Sequence, residues 1–421
     1  IETCGDFQQL SKVEAAEKVL GPGPELAYLK GNLALVQGRY QEAVLALQSA
    51  ASVERARGPA TELLELVMAT ERVTRDYTTS KSPSGHFIIR HAPGLDAVMV
   101  PWMAAVLDAA YDRLTPVFDD APKGPIRVEI YPTASVLAEV SPLTFEEIRT
   151  SGTIALCKYG RLMLTSPASL VYGYEWADTV VHELAHLLIT RRSRNAVPVW
   201  LHEGLAKYHE SFWRSDEPPR LDVISESLLA TAVQQRALIS FDAMSPSMAK
   251  LPSQEATATA FAEVFTVIEF LYERDGPGMV QRLLDAMAKG ATDREAVAKV
   301  AGMSWESFEP AWRASLRKKR LKVRRASFDL PLLFKGHDDE DAILSLVKAE
   351  QARKYVWLGD QLVLQGRYKA AVKEYRKASA VDQQASPLIA SKLGGALLET
   401  GAFDEAVSVL EGALSDWPHH M

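Results

Sequence analysis

Residues 179–186 read TVVHELAH and contain two histidines four positions apart, His182 and His186. On a helix, residues i and i+4 project from the same face, so both imidazoles can bind one metal ion. Glu183 follows the first histidine directly and lies about 100° further round the helix. It is therefore free to act on a metal-bound water instead of binding the metal itself.

This spacing is the HExxH pattern, which predicts a zinc site with Glu183 as the general base. Zinc in such a site takes three protein ligands and keeps a fourth position open. His182 and His186 supply two of the three. Residues 199–206, VWLHEGLA, contain the best candidate for the third, because Glu203 lies 17 positions after His186 near the start of a separate helix. The apolar neighbours of Glu203 would bury that helix against the first.

Length, charge and composition describe a globular protein with more than one domain. A chain of 421 residues exceeds one ordinary core, so two or three domains are expected. The net charge of −7 is a poor match for nucleic acid, and we predict no nucleic-acid partner. No stretch approaches the roughly 18 apolar residues that span a bilayer, so no transmembrane segment is predicted. Only Cys4 and Cys157 are present, which allows one disulfide.

Two helical blocks, residues 1–77 and 326–421, flank the centre of the chain. Small residues recur in both blocks with a period near 34 and resemble tetratricopeptide repeats. A stack of such repeats needs about three units to be stable, so we expect each block to pack on the central domain or on the other block. The recurring positions are Gly359 and Gly394, Ala371 and Ala406, Ala378 and Ala413, with Gly31, Ala43 and Ala50 as their N-terminal equivalents.

The central region, residues 78–325, has strands followed by helices, which is typical of an α+β domain. Residues 86–90, 126–131 and 160–165 are predicted as strands. Residues 78–85 are polar and have the composition of a linker.

The two motifs together resemble the gluzincin zinc peptidases. HELAH followed by WLHEGLAKY is similar to the peptidase-MA-like family and, in these motifs, to aminopeptidases of the same class. The resemblance implies an α+β zincin-like metallopeptidase domain flanked by all-α tetratricopeptide-like repeats. It also implies Zn²⁺ as cofactor, with His182, His186 and Glu203 as ligands and Glu183 as the catalytic base. A metzincin would carry a third histidine six residues after His186, and Arg192 at that position excludes this class.

The resemblance further implies an oxyanion donor, and here the chain departs from the family. Where related sequences commonly have a tyrosine, this chain has Phe261, which cannot donate a hydrogen bond. Tyr272, Tyr208 and His209 are the candidate replacements. Residues 160–165 contain no acidic side chain to bind a substrate's free amine, so an endopeptidase is favoured over an aminopeptidase.

Three further features have two interpretations each. Asp178, four residues before His182, could orient that imidazole, and the helix dipole explains an acidic residue there equally well. His202 could bind a metal, but its position next to Glu203 predicts that it points away from zinc. Residues 161–165 could accept an extended peptide as an edge strand or be an ordinary buried strand.

The leading prediction is a bacterial zinc endopeptidase that acts on protein or peptide substrates, with repeats that recruit the substrate or a protein partner. The start at Ile1 and the family resemblance favour an exported protein, either periplasmic, envelope-associated or extracellular. The alternative is a catalytically weak or inactive zinc-binding scaffold whose repeats mediate protein–protein interaction. The missing tyrosine favours this alternative, and the intact set of ligands and base opposes it.

Overall fold

The computed structural model describes most of the chain. The described residues are 23–52, 57–170, 173–215, 217–245, 251–323, 349–382 and 386–416, together with 13, 17, 21, 247, 248, 332–335, 344 and 347. Cys4, one half of the possible disulfide, lies outside them.

The helices come before, within and after a small sheet. No helix among the described residues is long and apolar enough to cross a membrane. The helices are α1 Pro24–Val36, α2 Tyr40–Ala51, α3 Arg57–Thr74, α4 Val100–Phe118, α5 Ala134–Glu139, α6 Phe145–Ser151, α7 Trp176–Ser193, α8 Val199–His209, α9 Val223–Gln235, α10 Gln254–Asp275, α11 Met279–Ala288, α12 Asp293–Ala301, α13 Trp305–Lys318, α14 Glu350–Leu364, α15 Tyr368–Val381, α16 Pro387–Glu399 and α17 Phe403–Asp416.

The chain divides into two compact units. The first comprises Ile1–Ser169, Trp176–Arg220 and Leu238–Lys319, and it contains the sheet and both motif helices. The second comprises Leu170–Glu175, Leu221–Ala237 and Arg320–Met421, and it contains the C-terminal helical block. The domain boundaries after residues 77 and 325 stay predictions.

The sheet has the strand order β1-β2-β3-β5-β4, with β1 Thr78–Lys81, β2 Phe87–His91, β3 Ile126–Tyr131, β4 Ala155–Lys158 and β5 Arg161–Thr165. β2, β3 and β5 run parallel, and the two outer strands are antiparallel to their neighbours. The linker prediction for residues 78–85 is wrong over β1. A largely exposed edge strand is held by main-chain hydrogen bonds and needs no apolar side chains.

β5 is fully buried between β3 and β4, so the interpretation of residues 161–165 as an edge strand is also wrong. β4, which sequence reasoning missed, is the edge strand at this end of the sheet as the described residues form it. β4 packs against α7, the helix that carries the HELAH motif.

A buried polar cluster fixes the N-terminal helical block to the sheet. The Tyr40 hydroxyl, at the start of α2, donates a hydrogen bond of 2.7 Å to Glu129 on β3. Arg161 on β5 donates to the Tyr40 oxygen over 2.7 Å and lies 3.3 Å from Glu129. Arg90 on β2 completes the charge balance with a 2.7 Å bond to Glu129. The N-terminal block therefore packs on the central domain, as expected for a unit too short to stand alone.

The recurring glycines lie where the two helices of each repeat touch. A Cβ atom at Gly31 would lie 2.6 Å from Leu47, and one at Gly394 would lie 2.6 Å from Leu410. At Gly359 the equivalent atom would overlap the ring of Tyr375. In all three repeats the glycine thus lets a large side chain of the second helix reach the backbone of the first.

The motif helices α7 and α8 lie at the centre of the first unit. α7 is buried along most of its length by α4, β4, α8 and α11, as is typical of a core helix. It ends where Arg194 and Asn195 adopt positive φ angles of 53° and 66°. α8 begins directly after Pro198, whose extended backbone turns the chain back along α7.

Candidate metal centre

Three side chains converge between α7 and α8. Ligand atoms of His182, His186 and Glu203 all lie within 4.8 Å of one another. His182 Nε2 is 3.1 Å and His186 Nε2 is 3.3 Å from the same oxygen, Glu203 Oε2. The structure thus brings together the three residues that the sequence predicts as metal ligands.

Two buried carboxylate oxygens at this cluster have no hydrogen-bond partner among the described residues. They are Glu203 Oε1 and Glu183 Oε2. A buried carboxylate oxygen without a partner is unfavourable unless a cation or a water molecule compensates it. Two imidazole nitrogens and one carboxylate oxygen form a donor set of the kind found in catalytic zinc sites. The residues present therefore fit a zinc ion bound by His182, His186 and Glu203.

The electrostatics of the cluster favour a positive charge at this point. Burial alone would raise the pKa of Glu203, but His186 and His182 outweigh it and hold this pKa far below its ordinary value. Burial alone would lower the pKa of His182, but Glu203 and Glu210 outweigh it and raise this pKa to about 10. A metal ion competes with the proton for the same place, so metal binding releases protons.

Glu183 lies beside the cluster and is only 5% exposed. Its carboxylate accepts a hydrogen bond from the backbone N–H of Cys157 on β4. Burial raises the pKa of Glu183 above its ordinary value, although His186 and His182 oppose the rise. The carboxylate is thus anchored to the edge strand, while its Oε2 has no hydrogen-bond partner among the described residues.

Glu210 contacts the far side of His182, a contact that sequence reasoning missed. Its Oε2 lies 3.1 Å from His182 Nδ1, and its Oε1 lies 2.6 Å from Lys207 Nζ. A carboxylate on the second nitrogen of a ligand histidine fixes the ring and makes it a stronger donor. Glu210 comes seven residues after Glu203, directly after the last residue of α8, so two helical turns place both carboxylates on the same side of that helix.

The assignment of Asp178 to the imidazole of His182 is wrong. Asp178 accepts a 2.8 Å hydrogen bond from Trp213 Nε1 and pairs with Arg214 at 2.8 Å. Burial raises its pKa to about 6. The carboxylate that contacts His182 Nδ1 is that of Glu210.

His202 does not belong to the ligand cluster, and it contacts the ring nitrogen of His186 that does not face Glu203. Its Nδ1 lies 2.5 Å from Nδ1 of His186, and its Nε2 lies 3.2 Å from Thr190 Oγ1. Burial, together with the nearby His186, holds the pKa of His202 well below its ordinary value. His202 is therefore an uncharged neighbour of a ligand.

The candidate oxyanion donors are not brought to the cluster. His209 uses both ring nitrogens, one at 2.6 Å from the Leu205 carbonyl and one at 2.7 Å from the Tyr272 hydroxyl. Tyr208 stacks on Tyr272 with 5.0 Å between ring centroids. At about 1.5 Å per residue, Tyr272 lies about 16 Å along α10 from Phe261.

Phe261 on α10 does reach the site. Its ring meets His182 edge-on, with 6.0 Å between centroids. The position that sequence comparison singled out therefore lines the cluster, and in this chain it presents an apolar ring.

Family comparison agrees with this geometry. The model of the Peptidase MA superfamily matches residues 108–318, half of the chain, including both motif helices. The chain belongs to the peptidase MA superfamily. Tetratricopeptide repeat models match residues 7–60 and 358–420, on both sides of that domain. Among curated proteins, no relative of the chain is detected.

Membership of the superfamily confirms the predicted fold class, an α+β metallopeptidase domain flanked by tetratricopeptide repeats. The superfamily is generally zinc-dependent, which agrees with the donor set of the cluster. The flanking repeats are of a kind that mediates protein–protein interaction.

Proposed function

We propose that this protein is a zinc-dependent endopeptidase that cleaves protein or peptide substrates. The observation that carries the proposal is the convergence of His182, His186 and Glu203 beside an unpartnered oxygen of Glu183. Zinc, when bound, supplies the Lewis acidity that polarises a scissile carbonyl and acidifies water. Glu183 takes a proton from the attacking water at its unpartnered oxygen and delivers it to the leaving amine.

The substrate is proposed to lie along the outer side of β4. The N–H of Cys157 points from this strand to Glu183, so the side of β4 away from β5 faces the catalytic carboxylate. An extended peptide added there would pair with main-chain groups of β4 other than the Cys157 N–H, and such hydrogen bonds depend little on the sequence of the peptide. The sequence of β4, ALCK, contains no acidic residue to bind a free amine, which supports cleavage within a chain.

We place the enzyme outside the cytoplasm of a bacterium and assign the repeats to recruitment of the substrate or a protein partner. The repeat matches support recruitment, and the family resemblance supports export.

Zinc analysis and one substitution test the proposal. Purified protein should contain one zinc per chain, and Glu183→Gln should keep the metal while losing cleavage of an unfolded casein-like substrate. Glu263→Gln is a matched control, because Glu263 is also a fully buried glutamate but contacts the Ile239 backbone instead of the metal cluster. Equal cleavage by Glu183→Gln and wild type would refute the assigned base.

A second function, a zinc-binding scaffold with weak or absent activity, is favoured by one observation. Phe261 occupies the wall of the site, and the hydroxyl of Tyr272 and the imidazole of His209 are hydrogen-bonded to each other. This function predicts stoichiometric zinc with no cleavage by the wild type. In that case Phe261→Tyr, which adds a hydroxyl beside His182, should create measurable cleavage.

A further inference from the structure

His202 lies between two residues of the HELAH helix. It precedes Glu203 on α8, is 7% exposed, and has a partner at each ring nitrogen. The partners are His186 and Thr190, which are four residues apart on α7 and so share one face of that helix. One imidazole from α8 therefore bridges two successive turns of α7 beside the metal cluster.

The contact of His202 with His186 fixes where the protons are. Two ring nitrogens in hydrogen-bond contact share one proton, since each neutral imidazole has one donor and one acceptor. His186 turns its Nε2 to the cluster, 3.3 Å from Glu203, and a metal-binding nitrogen carries no proton. Its proton is therefore on Nδ1 and is donated to Nδ1 of His202. The proton of His202 is then on Nε2 and is donated to Thr190 Oγ1.

We propose that His202 is a positioning residue that holds His186 in the tautomer and ring orientation required to bind zinc. The proposal rests on the zinc site of the proposed function. His202 is not itself a ligand, because its Nδ1 is directed at His186. It is also not an oxyanion donor, because its only N–H is directed at Thr190.

The two ligand histidines thus have partners of different chemistry. His182 has a carboxylate, Glu210, and His186 has a neutral imidazole. A neutral acceptor orients the ring without adding another buried negative charge to those of the glutamates already at the site. The hydroxyl of Thr190 gives His202 a fixed acceptor, so a single tautomer satisfies the whole chain of contacts.

The test measures zinc affinity, not cleavage. The Kd for Zn²⁺ is measured on metal-free protein by competition with a chelator. His202→Phe keeps a ring of similar size but removes the acceptor, and it should weaken zinc binding about 10- to 100-fold. His202→Asn returns an acceptor near the place of Nδ1 and should recover most of the affinity. Thr190→Val should have a smaller effect in the same direction.

His209→Phe is the matched control. His209 is also a fully buried histidine of α8 with both nitrogens engaged, but it contacts Leu205 and Tyr272 instead of a ligand. This variant should lose folding stability and keep the wild-type Kd. The absorption spectrum of bound Co²⁺ adds a readout of ligand geometry, and it should change in His202→Phe but not in His209→Phe.

The outcomes separate this proposal from the function on which it rests. If the wild-type protein binds no zinc, both the proposed function and the proposed role of His202 are refuted. A wild type that binds zinc while His202→Phe binds it equally well overturns the role of His202 alone. Equal weakening by His202→Phe and His202→Asn also overturns it, because the acceptor would then be irrelevant.

Discussion

Substitution of Gly204 by alanine should weaken both the fold and the metal centre. Gly204 follows Glu203 on α8 at the crossing with α10. A Cβ atom there would lie 3.0 Å from the carbonyl oxygen of Val264, and 3.2 Å from Val264 Cβ and Ile268 Cγ1. Because the nearest atom belongs to the backbone of a helix interior, it cannot turn away, and α8 must move instead.

The magnitude follows from two opposing effects. Alanine has a better helix propensity than glycine by about 1 kcal/mol. Overpacking of a tight contact costs about 1 to 3 kcal/mol, so the net destabilisation should be about 1 kcal/mol. The displacement occurs one residue from Glu203, and the affinity for zinc should therefore fall as well. Gly395 on α16 is the matched control, because it is exposed and a Cβ there meets no atom within 4 Å. Gly395→Ala should stabilise its helix by about 1 kcal/mol.

Native-state hydrogen exchange on metal-free protein measures the local stability of each helix separately. Amides of α8 should exchange faster in Gly204→Ala, and amides of α16 should exchange more slowly in Gly395→Ala. Zinc titration of the same samples gives the change in Kd. Slower exchange in α8 with an unchanged Kd would refute the packing argument.

Three further predictions concern buried charge. Burial raises the pKa of Glu263 from its ordinary 4.5 to about 8, so the folded state keeps a proton that the unfolded state has released, and stability is lost as the pH rises through this window. Urea unfolding should show a loss of about 2 to 3 kcal/mol between pH 6 and pH 8.5 that disappears in Glu263→Gln. Glu129→Gln leaves the fully buried Arg161 without its countercharge and should destabilise the first unit by about 3 to 5 kcal/mol in the same assay. Glu210→Gln should raise the zinc Kd about 10- to 100-fold, whereas Asp178→Asn should leave it unchanged; the reverse order in a chelator competition would contradict the assignment.

Local spacing explains what could be predicted. His182, Glu183 and His186 have fixed relative positions on any helix, so their arrangement follows from the sequence once α7 forms. The positions of the repeat glycines could be predicted because they recur with a regular period in the sequence. Both kinds of signal depend on residues within one helix or one helical hairpin, where backbone geometry alone decides which side chains are neighbours.

Long-range partners could not be predicted in this way. Glu210 and Asp178 are both acidic residues at helical spacing from a site residue, and only the fold decides that one meets His182 while the other meets Trp213. Similarly, β5 and β4 are both short, and only strand pairing decides which one is the edge. Such choices depend on the distances between elements that are far apart in sequence.

The sequence by itself was therefore sufficient to predict the metal ligands, the candidate base and the repeat architecture. The tertiary structure decided what surrounds them: the carboxylate behind His182, the imidazole behind His186, the edge strand at Glu183 and the apolar ring of Phe261. The physical reason is that a helix fixes the directions of its own side chains, whereas the packing of helices and strands against one another fixes which groups those side chains meet.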